Sequence, residues 1–128
     1  MSFLKNMFGK PEASESVSKV GWRQLTDLGQ LNEIINESTE KPVAIFKHST
    51  RCHISRAVLK QFENEFDLKE KITPYFLDLL EHRDISNEIA SRFGVMHQSP
   101  QIIVIKDGKS VYNASHENIY ASQLEKFV

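Results

Sequence analysis

From Trp22 onward, apolar and polar residues fall into blocks whose period changes along the chain. "VAIFKHS", Val43 to Ser49, is a nearly continuous apolar run rich in β-formers, which predicts a buried strand. "WRQL" before it predicts a short edge strand. Between them, "DLGQLNEIINES" sets Leu28, Leu31, Ile34 and Ile35 at helical spacing, with Thr26 or Asp27 as N-cap and Pro42 as the break. Beyond the buried strand, Ile54, Val58, Phe62 and Phe66 form one stripe of a helix over Cys52 to Phe66, with Leu59 beside it. "ITPYFLDLL" predicts a strand whose start is irregular or at an edge, because Pro74 lacks an amide hydrogen. "DISNEIASRFG" predicts a helix capped by Asp84 or Ser86, packed through Ile85, Ile89 and Phe93, and stopped by Gly94. "QIIVI" and "SVYNA" flank an Asp-Gly turn and predict a hairpin. "ENIYASQLEKF" predicts a closing helix with Ile119 or Tyr120, Leu124 and Phe127 turned inward.

Strands alternating with helices imply parallel pairing through right-handed crossovers. The predicted class is therefore α/β: a mixed central sheet with a C-terminal antiparallel hairpin, flanked by helices. This element order resembles that of a thioredoxin-like fold. "GKPEASESVSK" is polar and rich in Ser and Glu, so residues 1–20 read as a flexible leader and residues 21–128 as the domain.

Composition narrows the picture. The chain has 128 residues, the size of one domain, with 40% hydrophobic and 26% charged residues. A net charge of −1 gives no footprint for nucleic acid or an anionic membrane. No apolar run approaches the roughly 20 residues of a membrane span, and the N-terminus lacks the apolar core of a signal peptide. One cysteine excludes a disulfide framework and suits a reducing cytoplasm.

That cysteine, Cys52, lies in "HSTRCHIS", where the buried strand gives way to a helix. Placed at or near the first helical position, with Ser49 or Thr50 as cap, it meets free backbone N–H groups and the positive end of the helix dipole. Lys47, Arg51, His53 and Arg56 add positive charge nearby. Each effect favours the nucleophilic thiolate. The bland reading is a buried, inert cysteine; Arg, His and Ser at a strand-to-helix turn weigh against it. Three residues on, Ser55 stands where a dithiol enzyme has its second cysteine. Its hydroxyl can donate a hydrogen bond to the thiolate, but it cannot resolve a mixed disulfide. Cys52 can therefore become the mixed partner and must await a second molecule, which is monothiol exchange.

"FKHSTRCHIS" and "GVMHQSPQ" resemble the monothiol bacilliredoxins, and the resemblance covers most of the chain from about Trp22. The family motif is close to Thr-x-Cys-Pro-Ile-Ser. Thr50, Cys52, Ile54 and Ser55 match it, and His53 replaces the proline. The resemblance implies an enzyme that removes bacillithiol from S-bacillithiolated proteins, with bacillithiol as co-substrate and no permanently bound cofactor. It makes Cys52 catalytic, with Thr50, Arg51, His53 and Ser55 supporting the thiolate. Bacillithiol carries malate carboxylates, for which Lys47, Arg51 and Arg56 are counter-charges, with Lys47 and Arg56 expected to bind the substrate. In thioredoxin-like proteins a cis-proline faces the active-site cysteine, so Ser99 and Pro100 are expected at the substrate groove. Two other readings stand beside this one: a peptide-binding module without chemistry, and a glutaredoxin-like protein using another small thiol. His48, Cys52, His53 and His97 suggest a metal site only weakly, since no full ligand set is evident, and none is expected. "HRD", His82 to Asp84, lacks the companion motifs of a kinase loop.

Overall fold

The structure, a computed structural model, describes residues 20–128. The predicted leader lies outside these residues apart from Val20, which is fully buried. The elements are β1 (Arg23–Gln24), α1 (Gln30–Glu37), β2 (Val43–His48), α2 (His53–Glu65), β3 (Thr73–Asp78), α3 (Arg83–Phe93), β4 (Gln101–Lys106) and β5 (Lys109–Ser115). They form one sheet of order β1-β3-β2-β4-β5. β3 runs parallel to β1 and β2, β4 antiparallel to β2, and β5 antiparallel to β4. This is the thioredoxin-like arrangement that the element order predicts.

The period-two alternation of β2 divides the interior. Ala44 and Phe46 face α2, where they pack with Val58, Phe62, Phe66, Leu124 and the half-buried Trp22. Val43 and Ile45 face α1 and α3 and pack with Leu31, Ile34, Ile85 and Ile89. Trp22 is further held by a 2.7 Å hydrogen bond from Nε1 to Glu63 on α2.

Several local expectations are corrected. The strand that holds Pro74 is interior, but its start is a local edge, as Pro74 predicts. Thr73 N–H bonds towards β2, so the Pro74 nitrogen faces the other side, where β1 pairs only with Tyr75 and Phe76. A missing donor costs nothing there. Leu28 and Ile54 are each 43% exposed, outside the buried stripes. Neither Thr26 nor Asp27 is the N-cap of α1. Gly29 occupies that position, and Asp27 Oδ2 accepts the Gly29 N–H in the turn before it. The N-cap of α3 is His82; Asp84 instead accepts from the neighbouring Ile85 amide. Gly94, at φ 64°, ends α3 in the left-handed conformation as predicted. The Asp107–Gly108 turn has positive φ at both residues, the primed geometry that Asp-Gly favours.

The closing segment is not an α-helix. It forms two 3₁₀ helices, His116–Asn118 and Ala121–Phe127. Ala121 and Leu124 are buried and Phe127 packs on the same core. Their spacing of three is the 3₁₀ period, and Tyr120 is left exposed.

Candidate functional site

The carboxyl end of β2 places the thiol. After His48 the chain turns through Ser49–Arg51, and Cys52 has extended φ/ψ of −107° and 122°. Cys52 is thus the N-cap of α2 itself, and neither Ser49 nor Thr50 caps the helix. The turn commits those two residues otherwise. Ser49 C=O accepts the Cys52 N–H at 3.2 Å, and Thr50 C=O accepts from Arg56 Nη1 at 2.9 Å. Cys52 C=O accepts the Arg56 N–H, the first bond of the helix. The half-buried thiol stands at the positive end of a 13-residue helix with no acidic residue in its first turn.

The neighbours differ in what they can do. Arg51 and Thr50 are exposed. Arg56 folds back over the turn, donating to Thr50 C=O and, at 2.7 Å, to His53 Nδ1. A guanidinium only donates, so His53 Nδ1 is the acceptor of this contact.

Ser55 is wholly buried. Its Oγ lies 3.1 Å from the Ser49 amide and 2.8 Å from His48 Nδ1. His48 is itself buried, and desolvation lowers its pKa from the ordinary value; Asp78 opposes that shift and Arg56 adds to it. With the imidazole neutral, the Ser49 amide donates to Oγ, and the tautomer of His48 sets the direction of the other contact: the Ser55 hydroxyl donates to a bare Nδ1, or a protonated Nδ1 donates to Oγ. With Nδ1 bare, the hydroxyl hydrogen that sequence reasoning directs at the thiolate goes to His48 instead.

Lys47 is the larger correction. It was expected as a counter-charge for the substrate, but its side chain is fully buried. It lies on the α1/α3 face, with Nζ 3.0 Å from His97 Nδ1, and Ser86 Oγ of α3 is 3.3 Å from the same nitrogen. Desolvation lowers the Lys47 pKa to about 8. The His97 pKa is lowered by desolvation first, then by Lys47 and Arg83. His48 and His97 therefore serve opposite faces of the sheet. Among the described residues no group of three or more His, Cys, Asp or Glu could hold a metal ion.

Antiparallel pairing sets Gln101 opposite Lys47, so Ser99 and Pro100 lie beyond the end of β2, at the end of the sheet that carries Cys52. The Ser99–Pro100 bond is cis, as anticipated. Pro100 is buried and its C=O accepts the His116 N–H. Ser99 Oγ and Gln101 Oε1 are buried without a hydrogen-bond partner among the described residues. Sequence reasoning missed the His48–Ser55 and Lys47–His97 contacts. The signal was present, because a strand that is buried on both faces must bury Lys47 and His48 too.

A family model described as monothiol bacilliredoxin BrxC matches residues 23–124. Among solved structures, the chain is similar to a thioredoxin-fold protein provisionally described as an oxidoreductase, with 34% identity and a TM-score of 0.69, covering 80% of this chain and 89% of that one. It is also similar to thioredoxin from Malassezia sympodialis, with 17% identity, coverage of 90% and 94%, and a TM-score of 0.66. Mitochondrial thioredoxin 3 from Saccharomyces cerevisiae matches with 19% identity, coverage of 82% and 91%, and a TM-score of 0.64. The last two likenesses concern the fold.

Proposed function

The chain belongs to the monothiol bacilliredoxin family, a redox thiol protein on a thioredoxin-like fold, and on that premise we propose that it removes bacillithiol from S-bacillithiolated proteins through a mixed disulfide on Cys52. The observation that carries this reading is a single cysteine, half-buried at the N-cap of α2, with a buried serine three residues on.

The exchange balances without a second cysteine. The Cys52 thiolate attacks the bacillithiol sulfur of the mixed disulfide on the client protein. A Cys52–bacillithiol S–S bond forms, the client S–S bond breaks, and the client leaves as a thiolate that takes up a proton. A second bacillithiol thiolate then attacks the bound bacillithiol sulfur, forming bacillithiol disulfide and freeing Cys52. The free N–H groups at the start of α2 stabilise the anion at Cys52 in both steps. The exposed Arg51 is the counter-charge for the malate carboxylates; Lys47 is too deeply buried to serve. The client proteins and bacillithiol are the partners, bacillithiol is co-substrate rather than resident cofactor, and a reducing cytoplasm suits the free thiol. No helix of the described residues is long and apolar enough to cross a membrane.

Intact mass after incubation with an S-bacillithiolated model protein tests the reading, with glutathionylated and coenzyme A-modified proteins in parallel. The expected product carries one bacillithiol on Cys52, together with unmodified client, and Cys52→Ser forms none. Transfer of glutathione or coenzyme A in preference to bacillithiol would replace bacillithiol as the co-substrate. No adduct from any of the three would remove the exchange mechanism.

A further inference from the structure

His48 and Ser55 take no part in the exchange steps, yet they are buried beside the turn that carries the thiol. Their contacts form a continuous path. His48 Nδ1 holds the Ser55 hydroxyl at 2.8 Å, Ser55 Oγ holds the Ser49 amide at 3.1 Å, and Ser49 C=O holds the Cys52 amide at 3.2 Å. The path joins the end of β2 to the first turn of α2 and closes on the residue that bears the sulfur. His48 is anchored in turn. Its ring packs 5.5 Å from that of Phe76, and its C=O accepts the Leu79 N–H.

We propose that His48 is a positioning residue for Cys52, acting through the Ser55 hydroxyl and the Ser49 amide to hold the strand-to-helix turn in its reactive shape. The proposal rests on Cys52 being the reacting thiol, as in the function above, but it does not depend on which small thiol is exchanged. It gives Ser55 a role other than that of a missing second cysteine: the serine is the middle link of a strut. A serine suits that link because its oxygen accepts from the amide while the hydroxyl can also pair with the imidazole.

The path depends on the charge of His48. A second proton on the ring would occupy Nδ1 and turn it from acceptor to donor, so the Ser55 hydroxyl would have to reverse. The charged groups facing the ring are Asp78, its register partner on β3, and Arg56 from α2. Burial lowers the His48 pKa, so the strut keeps one hydrogen-bond pattern at neutral pH and changes it in acid, where Nδ1 donates and the Ser55 hydroxyl is released towards the thiol turn.

The test is the rate of alkylation of the full chain by iodoacetamide, which reports on Cys52 because the chain has no other cysteine. His48→Phe keeps a ring against Phe76 and removes the acceptor. His48→Asn restores a side-chain acceptor close to the Nδ1 position. Ser55→Ala removes the hydroxyl, and Ser55→Thr keeps it. His48→Phe and Ser55→Ala are expected to slow alkylation about tenfold, the effect of one buried hydrogen bond, with His48→Asn and Ser55→Thr within about threefold of wild type. The wild-type pH–rate profile is expected to show an extra inflection on the acid side, absent from both His48 variants. A folded His48→Phe protein with the wild-type rate and profile would overturn the proposal. So would a wild-type profile without the acid inflection, whatever the variants do. Iodoacetamide involves no bacillithiol, so failure of bacillithiol transfer would leave this result standing.

Discussion

The two faces of the sheet are built differently. The face towards α2 is aromatic: Phe62 lies between Trp22, Phe46 and Phe66, with ring centroids 5.4–5.8 Å apart. The face towards α1 and α3 is largely aliphatic, made of Leu31, Ile34, Ile45, Leu77, Ile85, Ile89 and Ile103 with Tyr75. Each face ends in a buried polar side chain contributed by consecutive residues of β2. On the aromatic face His48 is neutral and bonded through Ser55, so its burial is compensated. On the aliphatic face Lys47 brings an amine into the interior and meets the imidazole of His97, and no carboxylate of the described residues pairs with Nζ. Desolvation acts on both, but only the ammonium must carry a charge to keep its ordinary protonation state. The aromatic face thus supports the thiol turn with a satisfied network. The aliphatic face meets the Met96–Pro100 loop through Lys47, whose ammonium form desolvation disfavours.

The sharpest way to break the contrast is to empty the aromatic face. Phe62→Ala removes the ring that joins three others and should cost about 4 kcal/mol. Ile34→Val on the aliphatic face should cost about 1 kcal/mol. Urea unfolding of the two variants checks the difference, and equal losses would mean that the faces do not differ in this respect.

Lys47 gives the opposite sign. Lys47→Met should raise the unfolding free energy at pH 7 by about 1–2 kcal/mol, because the desolvated ammonium disappears. The pH dependence follows from the lowered pKa, from 10.5 to about 8. Between these values the unfolded chain binds more protons than the folded one. Wild-type stability should therefore rise with pH from about 8 towards 10.5, on account of this residue. The rise should vanish in Lys47→Met, as read by denaturant titrations across that window. His48 adds a smaller effect of the same origin on the acid side. Its lowered pKa means that stability falls as pH drops below the ordinary value of 6.5.

Ser55→Cys should also cost only about 1 kcal/mol, because a thiol is a weaker partner for the Ser49 amide and His48. Its chemical effect is larger. Position 55 is three residues after the N-cap Cys52, a spacing across which side chains in a capping box reach back to the cap residue. The new thiol should resolve the mixed disulfide and release bacillithiol at once, where wild type retains the adduct. Mass spectra of the two proteins after one transfer decide it; a retained adduct in Ser55→Cys would place the side chains out of reach.

Most of the architecture was legible in the chain because it depends on local period and on residues with restricted backbones. The apolar run of β2, the stripe of Val58, Phe62 and Phe66, the Gly94 stop and the Asp-Gly hairpin each act over a few residues. So does the placing of Cys52 between a buried strand and a helix. The 3₁₀ ending was not legible, since Ala121, Leu124 and Phe127 at spacing three also fit an α-helical stripe roughly, and only packing on the α2 face selects the tighter turn.

The sequence by itself thus determined the order of strands and helices, the single thiol at a helix start and the serine that cannot resolve a disulfide. Tertiary structure decided what the polar residues around the thiol do. Lys47 and His48 are adjacent in sequence and go to opposite faces, where their partners lie 50 and 7 residues away in the chain. Arg51 and Arg56 are both exposed, and Arg56 turns back onto the helix start. A pattern of types along the chain specifies which positions are buried. The partner that a buried polar atom finds is set by which elements pack together, because hydrogen bonds act over about 3 Å and only the assembled sheet brings such distant residues that close.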